Sequence, residues 1–339
     1  MVVGILGRTK RSAGLACVVL SLLALSGASP RGSVGFAAQE QTTVPQTSPR
    51  GTIRLDVNLV LVEATVKDKS GRILPDLKMQ DFQILEEGQH QQIAHFSRDE
   101  LPLAVALVIQ QNRWSEPFYR PLRYATLSVL QALKPEDRVA LFSFNDDVQR
   151  LVDLTRDKRK VADRMDFPAG KMGTNINDAV YQAAKYLRDT APDSRRAIIL
   201  VSDNTPEECR PGVSHKLVLD TALESDAPVY SLKLPYRGPK SLTTMLEHWL
   251  VNVEKLATET GGEVIDVQKE GSLFLSLQKI VERLKMRYTL GFYPARKSAD
   301  GKFRRLELQL GPSFGRKGKD YFVFARTGYF APRPNAASR

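Results

Sequence analysis

Between residues 101 and 285, short uninterrupted apolar runs alternate with stretches of helical spacing, and this pattern most restricts the fold. Leu103–Ile109, Val139–Phe144, Ala197–Ser202 and Val229–Leu234 read as strands that are apolar on both faces, with Val148–Val152 a short edge strand and Glu263–Asp266 a last strand. Helical spacing marks Tyr119–Leu133 (through Leu122, Ala125, Val129 and Leu133), Asp178–Leu187, Leu217–Leu223, Leu242–Thr260 and Ser272–Lys285, with Gly261-Gly262 stopping the fourth. A strand without a polar face must be covered on both sides, and parallel strands need helical crossovers to supply the cover. The segment predicts an α/β domain with a doubly wound, Rossmann-like, mostly parallel sheet. Ligands of such sheets sit at the carboxyl ends of the strands, so the candidate positions follow Ile109, Phe144 and Ser202.

The flanks follow a different period. Ile53, Leu55, Val57, Leu59 and Leu61 alternate with Arg54, Asp56 and Asn58, and Val62, Ala64 and Val66 continue the strand. Phe82–Leu85 and Gln92–Phe96 are two more strands, joined through Glu87-Gly88. Arg287–Tyr293, Phe303–Leu310 and Tyr321–Arg326 read as strands at the far end. The first β-rich stretch is marginal as an independent fold without a disulfide, so the two flanks are expected to pair into one small β-sandwich.

Arg8, Lys10 and Arg11 precede a small and apolar run from Ala13 to Leu25, followed by Ser26, Gly27, Ala28 and Ser29. This is the pattern of an export signal, with a cut after Ala28 or Ala38, and it places the protein outside the cell or in the periplasm. The alternative is an uncleaved membrane anchor. Of the two cysteines, Cys17 lies inside that run, so Cys209 is left without a disulfide partner in the mature chain and reads as a bystander thiol. Hydrophobic residues at 42% and charged residues at 26% exclude wholesale disorder and a multi-span membrane protein.

Several stretches at the strand ends resemble the von Willebrand factor A (vWA) domain, and more specifically an exported vWA-related family typical of acidobacteria. They are Leu133-Lys134-Pro135-Glu136-Asp137-Arg138-Val139, Phe142-Ser143-Phe144-Asn145-Asp146, Gly173-Thr174-Asn175-Ile176-Asn177-Asp178-Ala179 and Ile199-Leu200-Val201-Ser202-Asp203. The flanks join the resemblance through Val66–Gly71, Asp81–Gly88 and Arg326-Thr327-Gly328-Tyr329-Phe330, so it covers about residues 52–332. The organisation expected is a signal peptide over 1–28, a disordered linker over 29–51, a β-rich flank over 52–100, a vWA-like domain over 101–285, a second β-rich flank over 286–332 and a disordered tail over 333–339.

The resemblance implies a metal-ion-dependent adhesion site: an Asp-x-Ser-x-Ser after the first strand, a Thr from the second loop and an Asp from the third. Hydroxyl, carboxylate and water oxygens then hold magnesium, with one position left for a partner's carboxylate. Here Gln110 stands where the Asp belongs, Asn112 and Trp114 where the two Ser belong, and Arg113 adds a positive charge, while Thr174 and Asp203 match. One carboxylate is a poor holder of a cation that dehydrates reluctantly. The site reads as degenerate, with Thr174 a turn or cap residue before the helix and Asp203 bonded to nearby backbone. The expectation is a non-enzymatic module that binds a protein partner without a cofactor, through Gln110, Asn112, Arg113, Trp114, Thr174 and Asp203. The alternative is magnesium-dependent adhesion through an altered ligand set that keeps Thr174 and Asp203.

Enzyme patterns are missing from the sequence. Gly170-Lys171-Met172-Gly173-Thr174 lacks the order of a phosphate loop, and there is no G-x-S-x-G, H-E-x-x-H or C-x-x-C. From Met286 to Arg339 there are 12 Lys/Arg against 3 Asp/Glu, which implies a weak association of Arg304, Arg305, Arg316, Lys317 and Lys319 with an anionic surface. Export and the strand-like placing of Phe303, Tyr321, Phe322 and Phe324 argue against nucleic acid.

Overall fold

The computed structural model describes residues 59–98, 101–168, 173–205, 212–238, 251–270, 272–296, 299–312, 314 and 320–333. The expected signal, linker and tail (from residue 334), Ile53–Val57, both cysteines, the first part of the expected helix at 242–260, and Arg316, Lys317 and Lys319 lie outside the described residues. Among the described residues no helix is long and apolar enough to cross a membrane.

Six strands form the central sheet: β5 (Leu103–Gln110), β6 (Arg138–Phe144), β7 (Val148–Thr155), β8 (Arg195–Ser202), β9 (Val229–Lys233) and β10 (Val264–Asp266), in the order β10-β9-β8-β5-β6-β7. All neighbours run parallel except β7, which is antiparallel to β6 at one edge. Every residue of β5 is buried, as its unbroken apolar run requires, because helices cover both faces. On one face lie α1 (Glu116–Leu130), α2 (Lys158–Asp163) and α7 (Leu273–Lys285), packed through Leu122, Val129, Val161, Leu277 and Ile280. The other face carries α3 (Ile176–Thr190), α4 (His215–Glu224) and α5 (Val253–Thr260), packed through Val180, Ala183, Leu187, Val218 and Leu256. The four-residue α6 (Val267–Glu270) follows β10. From β5 the chain winds outward to β6 and β7, then returns to β8 and winds the other way, so a crevice opens at the carboxyl ends of β5 and β8.

The flanks form two four-stranded antiparallel sheets. One has the order β13 (Tyr321–Ala325), β1 (Val60–Asp68), β11 (Tyr288–Phe292), β4 (Ile93–Arg98). The other has β14 (Gly328–Phe330), β12 (Phe303–Leu310), β2 (Phe82–Glu86), β3 (Gln89–Gln91). Their inner faces meet through Val62, Val66, Ile84, Leu290, Phe292 and Leu306, so strands from both ends of the chain build one sandwich core. The β2–β3 turn puts Glu87 at φ 49° and Gly88 at φ 79°, the double left-handed pair that matches hairpin twist.

The outer face of β1 departs from the alternation rule. Glu63, Thr65 and Lys67 are buried, not solvated, because this face docks on the central unit. Glu63 pairs with Arg287 at 2.5 Å, and Lys67 with Glu263 at 2.5 Å. Burial pushes the Glu63 carboxyl up, with Arg287 opposing, and pulls the Lys67 ammonium down, with Glu263 opposing. Arg326 bonds Asp226 at 3.2 Å, and the Thr327 N–H donates to the Glu259 carbonyl at 2.9 Å. Gly261 caps α5 at φ 85°, where an added Cβ would lie 2.7 Å from the Arg326 nitrogen, so glycine serves both the left-handed cap and the close docking.

Three expectations need correction. Residues 251–252 are not helical: Asn252 is the N-cap of α5, its side chain accepting from the Lys255 N–H at 2.7 Å, so no helix runs unbroken from 242 to 260. Helix α2 was not expected from the sequence, since its six residues bury only Val161 and Ala162. Arg304 is buried in the sandwich and forked to Asp300 at 2.7 and 2.9 Å, so it is not part of a solvated basic surface.

Candidate functional site

Gln110 is the last residue of β5, Asp203 directly follows β8, and Thr174 sits two residues before α3. Asn112 lies in the turn that leads into α1. The structure brings these four together at the crevice, each at most 5% exposed. Arg113 and Trp114 occupy the rim of the same turn: Arg113 is exposed, Trp114 is half-buried, and the guanidinium carbon lies 4.8 Å from the indole centre.

The Gln110 amide fills the middle. Its oxygen accepts the Ser202 hydroxyl at 2.6 Å and the Asp203 N–H at 3.0 Å. Its nitrogen donates to Asp203 Oδ2 at 3.0 Å and reaches Thr174 Oγ1 at 3.4 Å. The backbone N–H only donates and an ionised carboxylate only accepts, so these partners fix which end of the amide faces which. Asn112 is fixed the same way. Its oxygen accepts the N–H groups of Trp114 at 3.1 Å and Ser115 at 2.9 Å, which turns its NH2 toward Thr174 Oγ1 at 3.1 Å. Both lone pairs of the Thr174 hydroxyl therefore face amide N–H groups.

The surrounding shell locks this arrangement. Ser115 Oγ donates within 3.0 Å of the Gln110 carbonyl, and Tyr119 donates to the Asn112 carbonyl at 2.9 Å. Burial pushes the Tyr119 phenol up to about 12, so it stays a donor at neutral pH. The Thr205 N–H donates to Asp203 Oδ1 at 2.9 Å. Thr174 does not cap α3; Asn175 does, accepting from the Asp178 N–H at 3.1 Å, while the Asn175 N–H binds the Asn145 carbonyl at 2.7 Å. Gly173 stands at φ 96°, with the Asp146 carboxylate packed so close that a Cβ would meet Oδ1 at 2.2 Å.

These residues do not fit a divalent cation. A hard ion needs several oxygen lone pairs converging on one point. At this point the amide oxygens of Gln110 and Asn112 face away and their N–H groups face in, beside a single carboxylate. Among the described residues no three His, Cys, Asp or Glu side chains gather as a metal group. The amide hydrogens take the place of a cation as the positive partner of Asp203.

Ser115, Ser202 and Tyr119 belong to the site and were not singled out from the sequence. The Asn112-Arg113-Trp114-Ser115 spacing carried a signal for Ser115, because an Asn side chain before a helix readily bonds the N–H three residues on. Ser202 and Tyr119 gave no such local cue.

Residues 119–205 match the family model of the von Willebrand factor type A domain. No curated protein matches the chain. Solved structures similar to it include an aerotolerance-related membrane protein from Bacteroides fragilis, at 16% identity over 53% of this chain and 98% of that one, with a TM-score of 0.42. BatB from Bacteroides thetaiotaomicron is similar at 15% identity over 53% of this chain and 99% of that one, with a TM-score of 0.39. The vWF domain of the type V pili tip protein Mfa5 from Porphyromonas gingivalis shows 12% identity over 54% of this chain and 95% of that one, with a TM-score of 0.41. Residues 119–205 of the central unit, from α1 through the loop of Asp203, are thus similar to the von Willebrand factor type A domain, and the mostly parallel sheet with helices on both faces is vWA-like.

Proposed function

We propose that this chain is an exported protein-binding module whose vWA crevice recognises a protein partner by direct contact, without metal and without catalysis. The observation that carries the reading is the Gln110 amide, hydrogen-bonded on both ends inside the crevice and occupying the ground a cation would need. A side chain satisfied in this way holds the strand-end loops rigid, and rigid loops around a half-buried tryptophan are the usual makings of a binding hot spot. The export half of the proposal rests on the Arg8–Leu25 pattern.

Chemical crosslinking of the full chain to proteins of its source envelope, in the presence of EDTA, tests the reading. Crosslinked partners should survive EDTA and should be lost in Trp114→Ala while that variant stays folded. Partners that vanish on chelation, or that are identical for wild type and Trp114→Ala, would remove the proposal. Calorimetric titration with magnesium, manganese and calcium supplies the complementary check, with no saturable micromolar binding expected.

A further inference from the structure

The charged groups around the crevice fall into two sets. Asp146, Asp147 and Asp203 each have interaction partners. Arg113 and Arg237 are exposed and have no ion pair among the described residues. Each guanidinium instead lies on an aromatic ring: Arg113 is 4.8 Å from the Trp114 ring centre, and Arg237 is 5.2 Å from that of Phe118. Trp114 lies in the turn that leads into α1 and Phe118 in the first turn of that helix, four residues apart. Arg237 arrives from the loop after β9, so two separate elements bring braced guanidiniums to one rim.

A guanidinium set against an aromatic ring keeps its N–H donors, and its planar fork suits a carboxylate. Glu116, the acidic residue on this stretch, sits at the first position of α1, where the helix N-terminus favours its charge. Among the described residues neither rim arginine has an ion-pair partner, while the carboxylates of the crevice have interaction partners.

We propose that the partner presents an acidic protein segment to this rim, its carboxylates held by Arg113 and Arg237. This rests on the reading of the crevice loops as a protein-binding surface. It assigns carboxylate capture to arginines in place of a metal ion, and charge complementarity selects the occupant.

The test uses the full chain in EDTA and a fluorescein-labelled ten-residue peptide of alternating Asp and Glu, followed by anisotropy. Gly/Ser and Lys peptides of equal length serve as references. The acidic peptide should bind at least about tenfold tighter than the Gly/Ser peptide, and Arg113→Gln and Arg237→Gln should each weaken it by about fivefold. Arg113→Lys should also weaken it, because an ammonium keeps the charge but lacks the fork. Arg156→Gln, an exposed position away from the rim, should leave it unchanged. Equal affinity for acidic and Gly/Ser peptides would overturn the proposal, as would a loss in Arg156→Gln matching that in Arg113→Gln. It would also fall if oligo-dT or phosphatidylserine vesicles bound more tightly than the peptide with the same arginine dependence. Indifference to the acidic peptide, combined with crosslinking that still depends on Trp114, would sink the acidic partner and leave the protein-binding reading intact.

Discussion

Gln110→Glu tests the crevice most directly, because the substitution keeps the shape and exchanges one NH2 for an oxygen. In the wild type that nitrogen lies 3.0 Å from Asp203 Oδ2. The variant would place two carboxylates in contact, and two charges about 4 Å apart repel by about 4 kcal/mol at an effective dielectric constant near 20. The pair escapes this by retaining a proton, which raises the folded-state carboxyl above its unfolded value of about 4.3. A carboxyl raised in this way binds a proton in the folded state that the unfolded state releases. Stability therefore falls as pH climbs above about 4.3, by about 1.4 kcal/mol per unit, until the folded pair ionises. Near pH 4.5 the protonated Glu should donate to Asp203 as the amide did, and the variant should match the wild type closely. At pH 7 it should be less stable by about 3–4 kcal/mol, the proton cost and the repulsion arriving at similar size. Urea unfolding of both proteins from pH 4.5 to 8 reads the difference. A gap that stays constant with pH would refute the packing of Gln110 against Asp203. Manganese should restore part of the variant's stability at pH 7 and leave the wild type unmoved.

Other perturbations probe the frame around the crevice. Arg287→Ala leaves Glu63 buried without its partner and should cost about 3–5 kcal/mol at pH 7. Because burial already raises the Glu63 carboxyl, that deficit should shrink as pH falls toward 5, a trend that urea unfolding at the two pH values would reveal or exclude. Gly173→Ala introduces a Cβ against the Asp146 carboxylate at a positive φ and should cost about 2 kcal/mol or more; a melting temperature equal to wild type would contradict the loop geometry. Asn252→Ala removes the cap of α5 and should cost about 1 kcal/mol, measured as a shift of the urea midpoint at unchanged slope.

The central unit was legible because its strands advertise themselves. Leu103–Ile109 is apolar at every position, so covering both faces with helices is the available solution, and the sheet order then locates the crevice at the ends of β5 and β8. The site residues were found by their position after those strands, yet their hydrogen bonding was not readable. Whether Gln110 offers its oxygen or its nitrogen to the crevice depends on Ser202 and the Asp203 N–H, which are 92 and 93 positions away in sequence. The burial of the outer face of β1 is not legible in the sequence for a related reason. Period-2 alternation assigns Glu63, Thr65 and Lys67 to water, and only the three-dimensional approach of Arg287 and Glu263 turns that polar row into a buried, ion-paired joint. Local pattern reports which face is polar; it does not report what lies against it.

The strand that leads into the central unit and the strand that leads out of it are hydrogen-bonded neighbours, with Arg98 opposite Tyr288. A pull applied between residues 59 and 333 thus enters the fold through β1 and β14, both strands of the sandwich. The load falls on the pairing of β1 with β11 and β13 and of β14 with β12, away from the loop of Gln110. A module tethered through its flanks would keep its gripping face unstrained while the tether bore the strain.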